Sequence, residues 1–188
     1  MNRQPGMVIA AFALVAVAAV GVMVWVGISN FPIYHLLMEL VGIIISASIF
    51  TMGWNTRSFT DHDFFSVMGC GYLGMAFLDF LHVLTHKDMP FFPSVNPNLA
   101  ILFGLAARSI VVVAFLHAVY VREHRLQVNH EPVLLSYVSG TLGVALLVVL
   151  YSSYLEPWLI PAWDMPWQIA WRFGLIGTMF FGFCRIYR

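Results

Sequence analysis

Apolar residues fall in six long runs separated by short polar or proline-bearing breaks. At about 20 mostly apolar residues per crossing, the runs lie at about 7–29, 33–53, 64–85, 98–120, 133–153 and 167–184. A helix satisfies its own backbone in hydrocarbon, so the pattern predicts an all-α polytopic membrane protein, a bundle of six transmembrane helices. Arg3 ahead of the first run imitates a signal peptide. That run, of about 22 residues, exceeds the 7–15 of a signal core, and Val24, Trp25 and Val26 stand where small residues would mark cleavage, so it reads as a retained span.

The breaks agree with the count. Asn30, Phe31 and Pro32 predict a tight reversal, because a residue before proline is biased out of the helical region and Asn tolerates a turn. Residues 55–63 and 122–132 read as polar loops, and 89–97 and 156–166 are rich in proline. With no internal repeat, low-complexity tract or soluble segment, residues 1–188 read as a single integral membrane domain.

Composition narrows the class. Hydrophobic residues make up 61% and charged residues 10%, with a formal net charge of zero, so no basic surface for nucleic acid is on offer. The mean hydropathy is +0.85. Cys70 and Cys184 both sit in apolar runs without partner spacing, which excludes a disulfide framework or a thiolate zinc site. Basic residues give orientation: with the N-terminus inside, Arg3, Arg57, Arg122, Arg125, Arg185 and Arg188 flank the cytoplasmic ends, and the opposite loops carry only Lys87. Trp158, Trp163, Trp167 and Trp171 cluster at the last outer loop, where such rings favour the headgroup boundary. Both termini are therefore expected in the cytoplasm, in the cell's inner (plasma) membrane.

The candidate chemistry lies in buried polar residues. An ionisable side chain in hydrocarbon is expensive, and chains keep it mainly where it pairs or binds something. Glu39 and Asp79 each lie about 9 Å below the outer ends of the second and third spans. His35 sits one turn above Glu39 and His82 one turn above Asp79, since i,i+4 and i,i+3 positions share a helical face. Arg172 is expected at the carboxylate level and Arg108 deeper. Imidazole and carboxylate suit zinc, copper, nickel or iron, with carboxylates also orienting ligating histidines. The same layer suits haem b held between His35 and His82, a quinone headgroup, a proton relay, or an ion-pair network that only locks helices. His86, one turn beyond His82, offers a third imidazole, although Lys87 beside it argues for an interfacial place. His62, His124 and His130 read as solvated loop residues and His117 as locally hydrogen-bonded. Gly69, Gly71, Gly74 and Ala76, like the pairs Gly140 with Gly143 and Gly174 with Gly177, read as sites of close helix approach.

Catalytic motifs are absent: no Gly-rich phosphate loop, His-Glu-x-x-His or nucleophile elbow occurs, so the chain is not read as an enzyme. A small transporter is an alternative, although no broken-helix pair or opposed half-repeat is evident.

Several blocks match a known family. They are Tyr-His-Leu-Leu-Met-Glu-Leu (34–40), Trp-Asn-Thr-Arg (54–57), Leu-Asp-Phe-Leu-His (78–82), Lys87 with Met89 and the following Phe-Pro, and Ala-Ala-Arg (106–108). In this order and spacing, the run from Phe31 to Tyr120 resembles the third type of membrane-associated sensor domain. The resemblance implies a bacterial or archaeal input domain fused to, or partnered with, histidine kinase, PAS or GGDEF output domains, in two-component or cyclic-di-GMP signalling. It places His35, Glu39, Trp54, Asn55, Arg57, Asp79, His82, Lys87 and Arg108 at motif positions. His86 departs from it, standing where an aromatic residue is expected. The expected function is sensory: a ligand or ion, with His35 and His82 as candidate metal ligands, binds at the outer His/Glu/Asp layer, and the state passes to a cytoplasmic output in cis or in trans. The lipid bilayer is the obligatory partner, and a second copy is a further candidate. The alternative is a haem-binding membrane redox protein.

Overall fold

A computed structural model describes residues 5–59, 63–87, 91, 96, 98–155 and 166–186. Six helices follow in order: α1 (Pro5–Ser29), α2 (Phe31–Thr56), α3 (Phe64–Thr85), α4 (Asn98–Glu123), α5 (His130–Leu155) and α6 (Pro166–Ile186). Each contains a stretch long and apolar enough to cross a membrane, and no strand occurs among the described residues. Proline starts α1 and α6 and stands second in α2, where a missing N–H costs nothing. Arg3, Arg188, His62, Trp158, Trp163 and the side chain of Trp167 lie outside the described residues, as do most of 89–97 and all of 156–165.

The chain divides into two compact units, Met1–Glu39 and Leu40–Arg188, with the boundary inside α2. In the first, α1 buries none of its described side chains. It is apolar all round, as suits a helix surrounded by hydrocarbon. Asn30 alone separates it from α2: its N–H donates to the Val26 carbonyl at 2.8 Å, and its Oδ1 caps α2 by accepting from the Ile33 N–H at 3.3 Å. A Cβ on Gly27 would meet the Tyr34 ring at 3.5 Å. Seven residues of straight helix span about 10 Å, so the chain turns back sharply here.

In the second unit, α3 and α4 form the central antiparallel pair, and small residues bring them together. Ala107, Ala114 and Ala118 are fully buried, and a Cβ on Gly71 would run into the Ala114 side chain. Without a hydrophobic drive between helices in lipid, association depends on such close contact. The remainder of α2 runs antiparallel to α3 at the same close range, with Gly53 against the Phe65 carbonyl, Gly69 against Phe50, and the Ser46 hydroxyl donating to Met75 Sδ at 3.8 Å. A Cβ on Gly74 would meet Thr141 Oγ1 of α5 at 2.6 Å, and one on Gly182 of α6 would meet the Phe115 ring of α4 at 2.6 Å. Gly140, Gly143, Gly174 and Gly177, expected to serve in the same way, would meet nothing within 4 Å. Their faces are open among the described residues.

Two buried clusters result. Val67, Cys70, Ala114, Ala118, Val121 and Tyr137 fill one end of the bundle, and Leu78, Phe103, Ala107 and Ala145 the other. At the first end α4 closes in a left-handed C-cap. Leu126 N–H donates to the Val121 carbonyl at 3.0 Å and Arg125 N–H to that of Arg122 at 3.2 Å, with Arg125 at φ 49°. The connection to α5 spans only residues 124–129, because α5 starts at His130 rather than beyond Pro132. Pro132 thus sits in the first turn of α5, where its missing N–H is harmless. This early start changes the role of His130. Instead of facing solvent, its Nε2 lies 3.5 Å from Asp63 Oδ1.

Candidate functional site

The polar seam between α3 and α4 lies at the Leu78 end of the bundle. Asp79 is only 2% exposed, so its carboxylate needs a partner inside the protein. Arg108 supplies one: its Nη1 is 3.4 Å from Asp79 Oδ1 and donates to the Gly104 carbonyl, one turn back on its own helix, at 2.7 Å. The guanidinium is permanently charged, so a carboxylate and a carbonyl are suitable acceptors. The Arg108 side chain remains 45% exposed. Of the two arginines expected near the carboxylates, the one in contact is thus Arg108, while Arg172 is exposed on α6.

One turn along α3, His82 Nδ1 lies 2.5 Å from the Ala100 carbonyl of α4. A carbonyl only accepts, so this nitrogen carries the proton. In the neutral ring Nε2 is then the lone-pair nitrogen. The His86 ring follows at 5.8 Å between centroids and 62°. His86 is 9% exposed and stands immediately beyond α3, its N–H turned back to the Val83 carbonyl. Lys87 beside it is exposed.

Gly104 makes the seam possible, and no sequence signal singled it out beyond its place one turn before Arg108. A Cβ there would sit 3.2 Å from His82 Nδ1 and 3.3 Å from Arg108 Nη1. Its absence lets the α4 backbone close against both side chains. Asp79, His82, His86, Arg108, Gly104 and Ala100 thus form one continuous patch.

In the other unit, His35 and Glu39 stand one turn apart on α2, both half-buried, and the His35 ring stacks on Phe31 at 5.9 Å and 17°. Trp54, Asn55 and Arg57 lie at the far end of α2. There the Arg57 guanidinium covers the Trp54 ring at 4.1 Å and donates to the Trp54 carbonyl at 2.5 Å. That end of α2 packs beside Phe65, 17 residues and so about 25 Å along α3 from His82. This motif block is separate from the polar seam and caps its helix. His117 meets its expectation of a local bond, its Nδ1 lying 3.1 Å from the Tyr137 hydroxyl.

Residues 26–188 match MASE3, the membrane-associated sensor domain family, and the chain belongs to it. No curated protein and no solved structure matches the chain. Together the match and the six apolar helices define a multi-pass membrane protein of the sensory input class.

Proposed function

We propose that this domain senses a ligand or ion at a polar layer on the outer side of the inner membrane, and passes the occupied state to a cytoplasmic output domain or partner. The layer comprises Asp79 and His82 of α3 and Arg108 of α4, with His86 at its rim, and the sequence motif suggests His35 and Glu39 of α2 as further candidate residues. The single observation that carries the reading is the Asp79, Arg108 and His82 seam, where a buried carboxylate, a cation and an oriented imidazole adjoin at one end of a mostly apolar pair of helices.

Signalling then requires that the ligand favour one of two helix packings, since equal affinity for both shifts nothing. Histidine kinase, PAS and GGDEF domains are the output types that the family resemblance suggests.

The test is a chimera in which a histidine kinase output follows Arg188, with autophosphorylation read in membranes. Substituting His82→Gln, Asp79→Asn or Glu39→Gln is expected to shift kinase output away from the wild-type level in folded, membrane-inserted protein. Unchanged output in all three would refute sensing at this layer.

A further inference from the structure

Resting on that reading, we propose that Phe115 of α4 is the residue that carries the state of the seam to α6, because its ring meets both Phe64 of α3 and Gly182 of α6. Both seam helices reach this ring. Asp79 and His82 lie on α3 and Arg108 on α4, and the Phe64 and Phe115 rings meet edge to face at 6.5 Å and 84°, within the range in which aromatic pairs attract. Phe64 itself packs on the buried cluster that includes Val67, Cys70 and Ala114. The same Phe115 ring is the seat of α6. Gly182 is the one buried residue of α6 among those described, and a Cβ there would lie 2.6 Å from Phe115 Cε1 and 3.5 Å from Leu116 Cδ2. The missing side chain is what lets α6 close on the ring. Nearer the end of α6, Arg185 Nη2 lies 3.4 Å from Glu123 Oε1 of α4, both side chains being largely exposed. A pair so exposed aligns the two helices rather than locking them.

The physical reason is packing without slack. Ala114, the residue before Phe115, is fully buried, and a Cβ on Gly71 of α3 would run into its side chain. At such close range α4 cannot slide or turn on α3 without repacking, and packed contacts move between discrete arrangements rather than through a continuum. Arg108 stands seven residues before Phe115 on the same helix, about 10 Å along its axis. A change in the Asp79 and Arg108 contact therefore reaches the ring through one short length of helix. Helix α5 also packs on the central pair, with Thr141 at Gly74. The Phe115 ring, however, touches α6 itself, and α6 is the helix that an output joined after Arg188 would follow.

The experiment uses the full chain in the kinase chimera, with autophosphorylation read in membranes and Asp79→Asn as the change imposed at the seam. The fold-change that Asp79→Asn produces in the wild-type background is expected to shrink by a factor of at least about 2 in Phe115→Ala, the lower end of what residues between two sites contribute to coupling. Gly182→Ala sets a methyl against the ring and is expected to shift output by itself. In Phe115→Ala the ring it would displace is gone, so the same substitution should be silent there. A residue that only stabilised the fold would lower the melting temperature without making one substitution depend on the other. Leu146→Ala, on an exposed face of α5, keeps the wild-type response. Size-exclusion profiles and melting temperatures identify variants that fail to fold, and Phe115→Leu takes the place of Phe115→Ala in both comparisons if the latter is one of them. An Asp79→Asn effect equal in size with and without the ring, or a Gly182→Ala effect that is equal in both backgrounds or absent from the wild type, would overturn the role of Phe115 and leave sensing at the seam intact. No effect of Asp79→Asn, His82→Gln or Glu39→Gln in the wild-type background would overturn the sensory reading and the role of Phe115 together, so the two failures are distinguishable.

Discussion

At the scale of single residues, the strongest constraint is electrostatic. Asp79 is buried and Arg108 is its cation, yet the arginine side chain is 45% exposed, so loss of the carboxylate does not strand a fully desolvated charge. Asp79→Ala is therefore expected to cost about 1.5–3 kcal/mol, the range for a hydrogen bond to a charged group. That is less than the 3–5 kcal/mol or so of a fully buried broken pair. A double-mutant cycle with Arg108→Ala, followed by thermal unfolding in detergent, should give a coupling of about 0.5–3 kcal/mol. Strictly additive losses would mean that the 3.4 Å contact contributes nothing.

At the scale of elements, the connection between α4 and α5 is held from a third helix. Asp63 occupies the cap position of α3 but makes no side-chain cap bond. Its Oδ2 instead accepts the Val128 N–H at 2.7 Å, and its Oδ1 faces His130, while the Asp63 backbone carbonyl takes the Ser66 hydroxyl at 2.9 Å. One carboxylate thus fixes where α5 starts relative to α3. Asp63→Ala should lower stability by about 1–3 kcal/mol, because it leaves the Val128 N–H without its acceptor, and should speed hydrogen exchange at that amide. Wild-type protection at Val128 in the variant would show that the loop is held by something else.

At the scale of the whole molecule, orientation is the property with most consequence for signalling. The basic residues at the ends of the helices predict cytoplasmic termini. A reporter fused after Arg188 is expected to read cytoplasmic and one inserted near Ser94 external. Both on one side would break the six-span topology and, with it, the outward placement of the His82 seam. The central α3 and α4 pair carries the most buried side chains, whereas α1 carries none and α6 few. A ligand bound at the proposed seam would therefore act on the helices with the most buried side chains. Packed contacts with discrete arrangements are what convert small shifts into movement elsewhere.

What the sequence determined alone follows from local physics. The length of hydrocarbon to be crossed and the need to satisfy each backbone group in place make span number readable from composition. The tertiary structure decided what depended on rotation about the helix axis, about 100° per residue, and on the choice of neighbour. Arg108 rather than Arg172 meets Asp79 because Gly71, Gly104 and Ala114 let α4, and not α6, close on α3. The His82 tautomer was set by a backbone carbonyl, the group least visible in a list of side chains. His130 left solvent for Asp63 because α5 starts before Pro132, a boundary that a proline marks only to within a turn. Spans are properties of one helix and are written in its sequence; partners are properties of two, and they appear only when the helices have packed.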